Sequence, residues 1–158
     1  MSLFVSGCTH HCKGCFNPET WDFQYGQAFD REAEDQIIAA LAPSYIEGFS
    51  LLGGEPFEPE NQPALAPFLK RIKETYPPKT IWCYSGYRLD DHILAGKLGD
   101  PEVTKQMLDC IDILVDGEFV ESLKDLRLRF RGSSNQRIID IKKTIESGNI
   151  TLWEETRN

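Results

Sequence analysis

The chain has 158 residues and a net charge of −8, with 41% hydrophobic and 11% aromatic residues, a composition that fits one packed domain and excludes a disordered or fibrous chain. Its longest apolar run, 37–42, falls far short of the ~20 residues that span a bilayer, and the first residues lack the leader of an export signal. No membrane contact and a cytoplasmic location are therefore expected, and the acidic balance speaks against nucleic acid, which calls for a basic footprint.

Short apolar runs at 3–6, 49–52, 80–84 and 111–115 read as strands, and each runs into a glycine-bearing turn at Gly7, Gly53-Gly54, Ser85-Gly86 or Asp116-Gly117. After the first strand, residues 7–29 show little periodicity over more than the ~12–15 residues of an inert connection. They nevertheless carry Phe16, Trp21, Phe23, Tyr25 and Phe29. Such a loop, at the carboxyl end of a strand, lies where parallel α/β folds bind ligands. Asp30 is placed to cap a helix reaching Ala42, with Ile37, Ile38 and Leu41 facing inward. Leu65, Phe68, Leu69, Ile72 and Tyr76 form a second amphipathic stripe that Pro77-Pro78 stops. Weaker helical patterns occupy 90–98 and 102–111.

Residues 124–137 carry a net charge of +4 against −12 for the remainder. Arg127, Arg129 and Arg131 alternate with Leu126, Leu128 and Phe130, so a strand here would put the guanidiniums on one face, either as a docking surface or as a solvated edge. Residues 138–153 fit either a helix broken at Gly148 or strands, which leaves the role of the C-terminal segment 142–158 unassigned. With no repeat or linker, one α/β domain over 1–158 is expected. Four or five βα units are too few for a closed eight-stranded barrel of ~250 residues, so the fold class is an open partial (βα) barrel.

The chemistry concentrates in Cys8-x3-Cys12-x2-Cys15, three thiolates on one loop. They are too crowded for a disulfide framework and soft enough for zinc or an iron-sulfur cluster. A closed zinc site needs a fourth ligand, which His10 or His11 could supply; a four-iron cubane held by three cysteines instead keeps one iron open. Otherwise both histidines read first as solvated loop residues, with a second reading in which they tune the bound group through hydrogen bonds around its ligands. Cys83 and Cys110 read as small buried hydrophobes.

This spacing resembles the signature of the radical S-adenosylmethionine superfamily, and Gly53-Gly54-Glu55-Pro56 after the second strand is similar to that family's Gly-Gly-Glu segment. The chain resembles more narrowly the activating proteins of anaerobic ribonucleoside-triphosphate reductase. The likeness runs through Leu3-Phe4-Val5-Ser6-Gly7-Cys8, Cys12-Lys13-Gly14-Cys15-Phe16-Asn17, Ser85-Gly86-Tyr87, Val115-Asp116-Gly117 and Arg131-Gly132-Ser133-Ser134-Asn135-Gln136-Arg137.

The resemblance implies a radical S-adenosylmethionine type of partial barrel, with a 4Fe-4S cluster on Cys8, Cys12 and Cys15. It implies S-adenosyl-L-methionine bound near Gly14, Cys15, Phe16, Gly53, Gly54 and Glu55. Phe16 takes the stacking role of the aromatic that other radical enzymes carry before the third cysteine, and Glu55 takes the methionine ammonium. Replacing Glu55 by Gln should then weaken cofactor binding more than folding. The implied reaction is reductive cleavage of the cofactor, fed by a low-potential donor such as flavodoxin, that leaves a glycyl radical on the reductase large subunit. Tyr87, Ser85 and Asp116 stand where adenosine contacts would lie. The alternatives are activation of another glycyl-radical enzyme of formate-lyase type, or a noncatalytic zinc- or cluster-binding interaction module.

Overall fold

Four parallel strands lie in sequence order in one sheet: β1 (Ser2–Val5), β2 (Gly48–Gly53), β3 (Thr80–Ser85) and β4 (Ile113–Asp116). A fifth, β5 (Arg137–Asp140), pairs antiparallel with β4. The computed structural model describes residues 1–155, so the last three residues of the expected segment 142–158 lie outside it. Helices α1 (Arg31–Ala40), α2 (Gln62–Thr75) and α3 (Pro101–Cys110) make the crossovers between the parallel strands, and α4 (Ile141–Ser147) follows β5. A strand order that never reverses has no switch point. With right-handed crossovers, all three connecting helices fall on one face. The result is a five-stranded, mostly parallel α/β sheet compatible with an open partial barrel.

The helix-facing side of the sheet is a continuous apolar stripe. Leu51, Cys83, Leu114 and Ile139 stand in register across four strands and are fully buried. They share one core with Leu41 of the first crossover, Phe68 and Leu69 of α2, and Met107 of α3. Cys83 thus fills a core position as a small hydrophobe. Phe68 meets Phe29 and Phe49 edge-on at ring distances of 5.1 and 5.8 Å. Helices α1, α3 and α4 begin where acidic caps accept backbone N–H groups: Asp30 from Ala33 at 2.9 Å, Asp100 from Glu102 at 2.9 Å and Asp140 from Lys143 at 2.9 Å.

One segment resolves what the sequence leaves open, and another departs from its alternation. Residues 138–153 use both alternatives: β5 is followed by α4, which ends on Gly148 at φ 73° as a left-handed cap, and Leu152 returns to bridge Ile139. Residues 126–130 are not a strand. The Asp125 carboxylate accepts from the Arg127 backbone N–H at 2.9 Å and pairs with its guanidinium, and Phe130 lies at φ 63°. This local side-chain bond turns the chain out of extended conformation. The three arginines consequently diverge: Arg127 goes to Asp125, Arg129 to Glu155, and Arg131 to the carbonyls of Ser134 and Gln136.

Candidate functional site

The turns that follow the parallel strands meet at one end of the sheet. The Gly54 N–H donates to the Val5 carbonyl at 2.7 Å and the Glu55 N–H to the Gly7 carbonyl at 2.8 Å, so the β2 turn lies directly against the start of the cysteine loop. That contact is why two glycines stand there. Gly53 sits at φ +113°, and a Cβ on Gly54 would fall 2.6 Å from the Gly7 carbonyl oxygen and 2.9 Å from that of Thr20. The loop is sewn down further by Gly7 N–H to the Thr20 carbonyl at 2.7 Å. Thr9 adds its N–H and hydroxyl, both donating to Glu58 at 2.8 and 2.6 Å.

Between this loop and the non-helix face of the sheet lies a cavity of about 360 Å³, within the ~300–1,000 Å³ of small-molecule sites. Cys8, Cys12, Gly14, Cys15, Phe16, Gly53, Gly54 and Glu55 all border it, with Leu52, Tyr84, Val115, Phe119 and Phe130 as its apolar walls. Among the described residues, no three His, Cys, Asp or Glu side chains gather tightly enough to hold a single metal ion. Three separate thiols around one cavity suit a cubane, which spreads its ligands over different irons.

Without metal, the Cys8 and Cys12 thiols are weaker acids than an ordinary cysteine. Burial, reinforced by the Glu55 and Glu58 charges, pushes the Cys8 thiol up to about 11. Burial also raises Cys12, with the Glu118 charge adding to it. A bound cation reverses this by stabilising the thiolates, so metal uptake releases protons. The donor set and its cavity fit an iron-sulfur group.

Glu55 is fully buried and already provided with donors from this chain. One oxygen accepts from the Phe57 N–H and the Ser85 hydroxyl, both at 2.8 Å; the other accepts from the Gly86 N–H at 2.7 Å and meets His10 Nε2 at 2.9 Å. His10 is held on its far side by Glu118 at 2.9 Å and against Tyr87 at a ring distance of 4.3 Å. Burial alone would lower its pKa, but the bonds and charges of Glu55 and Glu118 outweigh that and raise it.

His10 is therefore not the solvated loop residue the sequence suggests, whereas His11 is exposed and stacks on Trp21 at 4.5 Å. Nothing in periodicity announces the role of His10; its place two residues after Cys8 is the one signal. Ser85 borders the cavity but spends its hydroxyl on Glu55, and Tyr87 lies outside the cavity lining. Asp116, buried, is taken by Arg137 at 2.6 and 2.9 Å and by the Leu89 N–H at 2.8 Å, which makes it a structural tie of the β4 turn.

Residues 1–139 match the family model described as a 4Fe-4S single cluster domain. The chain is 46% identical over 137 residues to the anaerobic ribonucleoside-triphosphate reductase-activating protein of Salmonella typhimurium, an overlap covering 85% of this chain and 84% of the relative. It is 45% identical over 137 residues to that of Escherichia coli, with the same coverage, and 44% over 142 residues to that of Haemophilus influenzae, covering 87% and 84%. No solved structure matches the chain significantly. The chain belongs to the family of 4Fe-4S anaerobic ribonucleoside-triphosphate reductase-activating proteins.

Proposed function

We propose that this chain is a radical S-adenosylmethionine enzyme, one domain of partial-barrel form, that installs a glycyl radical on the large subunit of anaerobic ribonucleoside-triphosphate reductase. The observation that carries the reading is the meeting of three cysteines with the Gly53-Gly54-Glu55 turn around one cavity, in a chain 46% identical to activating proteins of that reductase. Cys8, Cys12 and Cys15 would hold the cluster. Gly14, Cys15, Phe16 and the Gly53-Gly54-Glu55 turn would border S-adenosylmethionine. When bound, cluster and cofactor supply the one-electron chemistry that ends in loss of a hydrogen atom from a glycine Cα of the partner.

The protein's own contribution is placement and exclusion of water. Leu52, Val115, Phe119 and Phe130 wall the cavity with apolar surface, which strengthens electrostatic contacts inside it. Glu55 and His10 hold the cysteine loop against the turns after β2, β3 and β4. The electron comes from a low-potential donor such as flavodoxin in a reducing cytoplasm, where thiolates stay free for metal. Neither nucleic acid nor membrane takes part, and no helix among the described residues is long and apolar enough to cross a membrane.

Anaerobic reconstitution with iron and sulfide, followed by reduction and an assay for 5′-deoxyadenosine with and without the reductase, tests the reading. Cleavage with a glycyl-radical EPR signal on the reductase is the expected result. Tight zinc binding without iron uptake would overturn it in favour of a noncatalytic module, and cleavage without the signal would remove the reductase as substrate.

A further inference from the structure

The cysteine cavity is bordered by exposed apolar side chains, Phe16 and Phe130, the latter packed on one side against Trp82 and Trp153. Among the described residues, four of thirteen exposed large apolar side chains fall on one short segment: Val120, Leu123, Leu126 and Phe130, with Leu126 90% exposed. Phe16, 83% exposed, rises from the cysteine loop. Phe16, Lys124 and Phe130 line the cavity itself, so this surface is continuous with the site. The two segments also touch below the rim, where Lys13 pairs with Glu121 at 3.7 Å and a Cβ on Gly14 would lie 3.1 Å from the Glu121 carboxyl group. Exposed apolar side chains clustered on one segment beside a reactive cavity mark an interaction site.

We infer that the exposed leucines of this segment, and not the arginines between them, form the surface on which the reductase polypeptide docks, an assignment that rests on the function proposed above. The sequence alternation offers arginines as the docking groups, but their guanidiniums are engaged within the chain. Arg127 is paired with Asp125, Arg129 with Glu155, and Arg131 with two backbone carbonyls. The turn at Asp125 leaves Leu126 facing outward beside Leu123 and Lys124, while Arg127 and Arg129, themselves exposed, hold their charged ends against Asp125 and Glu155.

The occupant is a protein segment because the atom to be reached is a backbone Cα. A glycine-bearing stretch entering at the mouth brings its flanking residues over this rim. With Arg127 and Arg129 paired to Asp125 and Glu155, the matching face of the partner is apolar around the leucines, and association depends on salt less than docking on unpaired arginines would.

The test measures affinity between the cluster-loaded protein and the purified anaerobic ribonucleoside-triphosphate reductase large subunit, at low and moderate salt. Leu126→Asp and Leu123→Asp, both outside the cavity lining, are expected to weaken binding roughly tenfold to a hundredfold. Iron content and reductase-independent 5′-deoxyadenosine formation should stay at wild-type levels. Arg127→Glu and Arg129→Glu are expected to change affinity by less than about twofold.

Unchanged affinity in both leucine variants, or a larger loss in the arginine variants, overturns the surface assignment while the proposed function stands. A wild-type protein that does not bind the reductase overturns the partner and the surface together. Self-association of the wild-type protein that the leucine variants abolish, with reductase affinity intact, assigns the patch to a second copy of the chain instead.

Discussion

Replacing Glu55 tests whether the cavity is built around a buried carboxylate. The side chain is fully buried and serves four donors: the backbone N–H groups of Phe57 and Gly86, the Ser85 hydroxyl and His10. Glu55→Ala strips all four. The hydroxyl and the imidazole can turn elsewhere, His10 toward Glu118, but the two backbone N–H groups cannot. Each orphaned donor costs ~1–3 kcal/mol, and breaking a buried charged network typically costs ~3–5 kcal/mol, so a loss near ~4 kcal/mol is expected. That is a large part of the ~5–15 kcal/mol that holds a domain together.

Glu55→Gln keeps an acceptor toward Phe57 and Ser85 but turns an NH2 group toward the Gly86 N–H and His10, and about half the loss is expected to remain. Urea unfolding of the metal-free protein under anaerobic, reducing conditions reads both. At a slope of ~2 kcal/mol/M the alanine variant should unfold ~2 M earlier. This inverts the expectation from family resemblance, in which Gln at this position affects cofactor binding before folding. Wild-type stability in Glu55→Gln, together with weaker binding of S-adenosylmethionine, would refute the tie and return the carboxylate to the cofactor.

Three further outcomes follow from the same contacts. Alanine at Cys8, Cys12 or Cys15 should each abolish iron and sulfide retention, and full iron in any one variant would remove that residue from the ligand set. Gly54→Ala should leave the helices folded, by circular dichroism, yet reduce iron uptake, because its Cβ would displace the Gly7 and Thr20 carbonyls from 2.6 and 2.9 Å; unchanged uptake would show that the loop shifts at no cost.

Asp90 is held well below the usual carboxylate range by its hydrogen bond to the Arg137 guanidinium. A depressed carboxylate stabilises above its unfolded value of ~3.9 and loses that contribution as pH falls below it. Asp90→Asn should therefore cost ~0.2–1 kcal/mol at pH 7, a modest figure because the pair is partly exposed, and the difference from wild type should shrink below pH 4. A gap that persists undiminished into acid would exclude the ion pair as its source.

What the sequence discloses of this protein, and what it conceals, divides along the range of the interactions. The parallel strands are legible because each is a short apolar run closed by its own glycine turn. The helices α1 and α2 are legible because Asp30 and Pro77-Pro78 bound a helical stripe. β5 is hard to read because Arg137-Ile138-Ile139-Asp140 has no clean alternation and takes its antiparallel place from β4. The arginine run misleads for a local reason: period-two patterning cannot register that Asp125 bends the chain at the next residues.

The cysteines and Gly53-Gly54-Glu55 are visible as motifs, but three of the four partners of Glu55 lie 30, 31 and 45 residues away at Ser85, Gly86 and His10. No window along the chain contains them. The topology brings them together. Parallel strands in consecutive order place all their carboxyl ends side by side, so the turns after β1, β2, β3 and β4 each reach the same point, contributing His10, Glu55, Ser85-Gly86 and Glu118. The cysteine loop has almost no regular structure of its own and takes its shape from that junction. Its capacity to hold a cluster is therefore tied to the register of the sheet, and a slip of any one strand would dismantle the site before it unfolded the core.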